Sequence, residues 1–284
     1  MRTKTAITPS LKMQNRHIAS HIVLSLWGLL VLFPIWTMVI NSFKFKLDIY
    51  LDPFGLPKKW NFGSYGSVFQ DGNFLVYFKN SLAVTVGSIL LVLLFGSLCS
   101  YAIVNWKNRQ TRFVYLFFIA GMMMPIKIGS IKLLEMIKAL GLLNSIMGLY
   151  PIYIAMGLPI AIFVLTQFIS DIPKELTEAS VMDGASRFRI YAQIIMPIIK
   201  PALATVGIYN LVPFWNDLWF PLIFISDEKS KTLLLGVTRL FGQYQTDWSK
   251  ILAVLTLSAI PVILLYLTMS RQFIRGLTAG AVKG

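Results

Sequence analysis

"EASVMDGASRFRIYAQIIMP", Glu178 to Pro197, interrupts a chain that is otherwise strongly apolar. Runs long enough to cross a membrane flank it on both sides, and its own pattern is a short helix, a glycine stop and a second helical piece. Just upstream, Asp171-Ile172-Pro173 reads as a helix entry, with Asp171 as N-cap and the proline in the first turn. The first helix is predicted over Lys174 to Met182, with Leu176, Ala179 and Met182 on one face and Glu175, Glu178 and Asp183 beside them. Gly184 is placed to end it. A second piece over about 186–195 leads to Pro197 and back towards apolar sequence. Pattern alone leaves two readings open: an amphipathic helix resting on lipid headgroups, and a docking helix for a soluble partner.

Of 284 residues, 56% are hydrophobic and 13% charged. That excludes an ordinary soluble domain and predicts an all-α integral membrane protein. Six apolar runs, about 18–40, 79–103, 113–131, 147–168, 201–224 and 249–270, are near the roughly 20 residues a spanning helix needs. The expected organisation is an N-terminal tail 1–17, a six-helix transmembrane domain 18–270 that contains the polar loop 169–200, and a C-terminal tail 271–284. The first run is too long for a signal-peptide core, and no small-residue cleavage site follows it before Asn41, so it reads as a retained helix.

The formal net charge of +14 is distributed unevenly. Segments 1–17, 104–112, 169–200 and 271–284 hold 14 Lys/Arg against 4 acidic residues, whereas 44–78, 132–146 and 225–248 hold 9 against 7. The asymmetry predicts cytoplasmic termini and a cytoplasmic polar loop. It also accounts for the basic charge without nucleic acid, for which no basic stripe or RNA-binding motif is present. Cys99 is the single cysteine and has no partner for an internal disulfide. No His/Cys/carboxylate cluster has metal-ligand spacing; His17 and His21 read as an interfacial flank of the first span. No catalytic constellation stands out. No G-x-x-x-x-G-K-[ST] loop occurs, so any nucleotide chemistry would belong to a separate polypeptide.

Pro34, Pro125, Pro159, Pro213 and Pro261 each remove a backbone donor within an apolar run, and predict kinks or breaks. Ionisable residues inside spans are candidate functional groups. Lys127 and Asp217 sit in the third and fifth runs, at a similar depth of roughly 21–24 Å if each helix is continuous, which predicts a pair or two groups lining one cavity. Trp215, Asn216 and Trp219 accompany Asp217. Aromatic faces beside amide and carboxylate groups suit a sugar; an interfacial aromatic belt and a snorkelling lysine are the alternatives.

The opening stretch resembles the EAA loop found in inner-membrane permease subunits of binding-protein-dependent ABC importers. That pattern is Glu-Ala-Ala, three residues, Gly, nine residues, Ile, one residue, Leu-Pro. Glu178-Ala179-Ser180, Gly184, Ile194 and Met196-Pro197 keep every interval, with Ser180 and Met196 replacing Ala and Leu. "GLTAGAVKG" (Gly276–Gly284), "FWNDLWFPL" (Phe214–Leu222) and "LGLLNS" (Leu140–Ser145) are similar to the maltose-type, MalG-like carbohydrate branch. The resemblance covers the chain from about residue 20.

The resemblance implies a MetI-like fold, the ABC type I importer permease, with six transmembrane helices and a cytoplasmic coupling helix in the bacterial inner membrane. It implies four kinds of partner: a paralogous, MalF-like permease; an ABC ATPase dimer that binds ATP and Mg; an extracellular solute-binding protein; and a sugar or sugar derivative as substrate. Glu178, Ala179, Ser180, Asp183, Gly184, Ala185, Ile194 and Pro197 would form the ATPase-coupling surface, with Glu178 pairing an arginine of the partner. Arg187 and Arg189 would face the ATPase or lipid headgroups, and the tail 278–284 would reach toward the ATPase pair. The loop carrying "PFGLPKKWNFGSY" (Pro53–Tyr65) is either a contact for the binding protein or a connector. Lys127, Trp215, Asn216 and Asp217 are the candidate substrate path, with Lys127 suited to an anionic sugar derivative. Rival readings are an ion-coupled secondary transporter, a membrane enzyme and an ABC permease for a non-sugar solute. The EAA spacing and the scarcity of membrane carboxylates weigh against the first.

Overall fold

The computed structural model describes residues 11–70, 73–241 and 246–281, with side chains for 18, 20–70, 73–241 and 246–268. The expected tails, 1–17 and 271–284, therefore fall outside the described side chains. Fourteen helices are present among the described residues: α1 (Leu11–Ser42), α2 (Lys46–Leu51), α3 (Gly63–Gln70), α4 (Asn73–Asn105), α5 (Arg109–Met122), α6 (Ser130–Ala139), α7 (Leu149–Ser170), α8 (Lys174–Met182), α9 (Arg187–Ile190), α10 (Met196–Ile198), α11 (Lys200–Trp215), α12 (Trp219–Phe224), α13 (Leu233–Val237) and α14 (Trp248–Ala281).

Four helical stretches are long and apolar enough to cross a membrane: Ser20–Ser42, Asn73–Asn105, Ile146–Ser170 and Trp248–Thr268. Two bent pairs, Arg109–Met122 with Ile126–Ala139 and Arg187–Ile198 with Lys200–Trp215, raise the number to six if each counts as one span. They turn by 88° and 73° at their breaks. The five intramembrane prolines thus differ in effect. Pro34, Pro159, Pro213 and Pro261 remain inside α1, α7, α11 and α14. Pro125 alone among them stands at a break, where it starts a 3-10 turn over Ile126–Gly129. Proline disfavours helical backbone in the residue before it and cannot donate to the preceding turn.

The chain forms two compact units. Of the described residues, the first comprises 11–68 and 246–256. Its loop is knitted around Phe43, whose ring lies 5.0 Å from Tyr65, 5.4 Å from Phe62 and 5.5 Å from Trp60, centroid to centroid. The Lys44 ammonium is buried and donates to the Asp52 carbonyl at 2.6 Å. Asn41 Nδ2 donates to the Pro53 carbonyl at 2.8 Å. None of the apolar window of α1 is buried within the chain.

The second unit, 69–70, 73–241 and 257–281 of the described residues, holds the main core. α4 and α7 are its centre, and small residues let them approach. A Cβ on Gly96 would lie 2.8 Å from the Ala161 Cβ, and one on Gly157 would lie 2.7 Å from Val92 Cγ2. Ser81, Ser88, Ser97 and Ser100 are buried along α4, and Ser100 Oγ donates to the Ile162 carbonyl at 3.3 Å. Close backbones and hydroxyl bonds suit association in lipid, where apolar side chains gain little by leaving the acyl phase. α11 lies against both helices, with Ala202, Val206 and Phe214 in the same core.

Candidate functional site

The polar loop folds as one continuous device. α7 ends at Ser170, and Asp171 is its C-cap, with its amide donating to the Gln167 carbonyl at 3.1 Å and its carboxylate accepting from Gln167 Nε2 at 3.3 Å. Asp171 is therefore not the N-cap of the next helix, because Pro173 occupies that position with no side-chain cap bond. α8 then runs from Lys174 to Met182 as expected, with no buried residue. Thr177 and Ser180 donate to the Lys174 and Leu176 carbonyls, at 2.8 and 2.6 Å.

The stop is a paired carbonyl cap. Gly184 takes φ +78°; its amide donates to the Val181 carbonyl and that of Ala185 to the Ser180 carbonyl, both at 3.0 Å. This is the two-bond arrangement that ends a helix on a left-handed residue. Ser186 restarts the chain as N-cap of α9, its Oγ accepting from the Arg189 amide at 3.3 Å. A π-helical turn, Tyr191–Ile195, carries it through Ile194 to Pro197 in α10.

Leu176, Val181 and Met182 stay exposed, Met182 at 87%. Glu178 is exposed and lines two clefts on either side of α8. One of about 510 Å³ also contains Tyr101, Trp106 and Arg187; the other, about 340 Å³, contains Lys107 and Lys174. Glu178 has no ion pair among the described residues. Ala179, Asp183 and Gly184 are exposed and Ser180 is partly so. Ala185 and Ile194 are partly buried and pack against the core of the chain.

That anchoring was not legible in the sequence. The Tyr191 hydroxyl is hydrogen-bonded to Ser97 Oγ at 2.8 Å inside the core, and its ring lies 5.4 Å from that of Tyr101. The Tyr101 hydroxyl donates to the Arg187 carbonyl at 3.1 Å. The Arg187 guanidinium lies over the Trp106 ring, 5.2 Å from its centroid. Arg187 is thus committed within the chain, while Arg189 Nε donates to Gln193 Oε1 at 2.9 Å. The return leg of the loop is clamped to the end of α4.

The second group of candidate residues gathers where α11 gives way to α12. The Asp217 carboxylate accepts from the Tyr153 hydroxyl at 3.0 Å and from the amides of Trp219 and Phe220 at 3.1 and 3.4 Å. It caps the start of α12 and ties it to α7. Lys127 lies in the turn after Pro125, so the depth expected from a continuous helix does not apply to it. Its ammonium stands 5.7 Å from the Trp219 ring centroid. Trp219 Nε1 donates to Ser130 Oγ at 2.8 Å. Lys127 and Asp217 make no direct ion pair among the described residues, and Trp219 links them. Trp215 is 4% exposed, donates to the Ser258 carbonyl at 3.0 Å and meets Phe78 edge-on. It packs within the chain and does not face a path. Asn216 and Trp219 are exposed beside it.

Comparison with known proteins gives the family. The family model for the binding-protein-dependent transport system inner membrane component matches residues 92–279. A putative ABC transporter permease protein, ORF2, of Caldicellulosiruptor sp. (strain Rt8B.4) is 36% identical over 93% of this chain and 96% of its own. The diacetylchitobiose uptake system permease protein NgcG of Streptomyces coelicolor is 30% identical over 93% of this chain and 88% of its own. Among solved structures, a chain of a bacterial ABC transporter involved in the import of the acidic polysaccharide alginate superposes with TM-score 0.81 at 22% identity, covering 94% of this chain and 100% of that one. The likeness to that structure establishes a shared fold.

Proposed function

The chain belongs to the family of binding-protein-dependent transport system inner membrane components, and from that premise we propose that it is the MalG-like half of a sugar importer's translocation path. A paralogous permease supplies the other half. An extracellular binding protein delivers the sugar or sugar derivative. A separate ABC ATPase dimer binds ATP and Mg and drives the cycle, with both termini and the polar loop of this chain in the cytoplasm. α8 is the coupling helix. Its Glu178 carboxylate meets a cation of the ATPase, and Leu176, Ala179, Val181 and Met182 fill the cleft that receives it. ATP-driven closure of the ATPase pair then shifts the membrane helices between two arrangements. Trp219, Asn216 and Lys127 are the groups nearest a path, with Asp217 holding Trp219 in place. The sugar class rests on relatives such as the diacetylchitobiose permease and on the tail and mid-chain motifs.

The observation that carries the reading is α8 itself: nine residues, none buried, ended by a left-handed glycine, with an unpaired glutamate and exposed Leu176 and Met182. An exposed face of this kind fits a partner or a headgroup layer. The test is a mild-detergent pull-down of the tagged chain with mass spectrometry of its companions. An ATPase and a second permease are the expected result. A chain that comes down alone and transports solute in liposomes without ATP overturns it.

A further inference from the structure

We infer that the corner between α4 and α5 is a binding site for the phosphate headgroup of an anionic phospholipid. A cavity of about 510 Å³ opens there, lined by Ile103, Lys107, Arg109, Arg112, Tyr115 and Thr166 among others. Three features set it apart. Its lining has three cations and no carboxylate, with Lys107 shared with the cleft that contains Glu178 and Lys174, whereas the two clefts beside α8 contain Glu178 and a smaller one near Lys44 contains Asp48 and Asp52. None of the three cations has an ion-pair partner among the described residues. The floor is contributed by α7, where Thr166 Oγ1 is buried and has no hydrogen-bond partner among the described residues. Eight other buried polar side-chain atoms among the described residues share this condition, so Thr166 places a free hydroxyl at the floor, and the charge of the lining carries the proposal.

The surroundings fit a lipid rather than a protein. The corner lies at the water-facing end of two apolar helices, with Phe113, Leu116 and Phe117 exposed one turn further along α5. A headgroup in the cavity would leave its acyl chains beside these residues. Asn108 and Thr111 close the first turn of α5 by a reciprocal cap: the Thr111 amide donates to Asn108 Oδ1 at 2.8 Å and the Asn108 amide to Thr111 Oγ1 at 3.2 Å. Thr111 Oγ1 also donates to the Trp106 carbonyl. The turn is rigid, and it sets Arg109 and Arg112 three apart on one side of the helix, where both reach one phosphate. Basic pockets between membrane helices are suited to such headgroups.

The proposal does not depend on the transport reading. Its test uses the full chain in nanodiscs of phosphatidylcholine with a minority of phosphatidylglycerol, followed by native mass spectrometry of retained lipid. Wild type should retain phosphatidylglycerol in preference to phosphatidylcholine. Removing the three charges (K107Q/R109Q/R112Q) should lower that retention roughly tenfold or more. Thr166→Val, which keeps the shape of the side chain, should lower it several-fold and remains informative if the triple variant fails to insert. K132Q/K138Q, on α6, should leave it unchanged. Equal retention by wild type and both site variants overturns the proposal. So does displacement of the lipid by excess inorganic phosphate, which assigns the cavity to a soluble anion. Loss of companion proteins from the triple variant, with lipid retained, also overturns it and assigns the face to protein docking.

Discussion

Asp217 has three donors on its carboxylate, and this decides what the residue does. A carboxylate that accepts from Tyr153, Trp219 and Phe220 has little capacity left for a passing sugar. Asp217→Ala is expected to lower stability by about 2 kcal/mol, the scale of hydrogen bonds to a charged group, and Asp217→Asn by clearly less, both read from melting curves in detergent. A direct substrate contact would show the reverse: Asp217→Asn abolishing uptake with melting unchanged. Gly184 is a second case where one residue sets a geometry. Its φ of +78° with open space where a Cβ would stand means that Gly184→Ala meets only backbone strain, about 1–2 kcal/mol. Relief of that strain would re-aim α8. Uptake should fall several-fold while the amount of chain in the membrane stays the same, as measured by quantitative blotting of washed membranes.

The coupling role proposed for α8 requires that something hold the loop that bears it, and the clamp on α4 meets that requirement. Tyr191 and Tyr101 each contribute one hydroxyl bond, to Ser97 and to the Arg187 carbonyl. Ser97 keeps the Leu94 carbonyl at 3.1 Å when Tyr191 is changed, so the double variant Tyr101→Phe/Tyr191→Phe leaves no orphaned hydroxyl there and weakens the clamp by about 1 kcal/mol per bond. In the reconstituted importer, ATP hydrolysed per sugar moved should rise while ATPase companions still co-purify. An unchanged ratio would mean that α4 is not the element being levered. The sequence exposes α8 and hides the clamp for one physical reason. A helix ended by glycine is a local pattern, complete within a dozen residues. Ser97 meeting Tyr191 is a long-range contact that no spacing announces. The prolines show the same limit: five look alike in the sequence, yet four are absorbed inside helices, and only Pro125 opens a right-angled turn. Asp217, read as an intramembrane charge, also accepts from the first two amides of α12, a contact that exists because the helix breaks there.

At the scale of the whole molecule, the exposed apolar surface says what must surround it. Leu24, Trp27, Leu29, Leu30 and Phe33 of α1 are all more than half exposed, as are Phe113, Leu116 and Phe117 of α5. Those faces call for an apolar surrounding. The proposed cytoplasmic side of the termini and of the polar loop rests on the charge asymmetry, because lysine and arginine are retained on that side. The lone cysteine makes this measurable. In a Cys99→Ser background, Ser180→Cys on α8 and Lys132→Cys on α6 place single thiols on opposite polar segments; Lys132 carries a side chain that is 83% exposed. A membrane-impermeant maleimide added to right-side-out vesicles is expected to label Lys132→Cys, and to reach Ser180→Cys only after the membrane is opened. The opposite pattern would put α8 outside, away from any ATP, and the coupling role proposed for Glu178 would fall with it. Labelling of both from one side would mean that α7, the one span between Lys132 and Ser180, does not cross the bilayer, whereas a turn-back of α5–α6, whose halves meet at 88°, gives the opposite pattern when the N-terminus is inside.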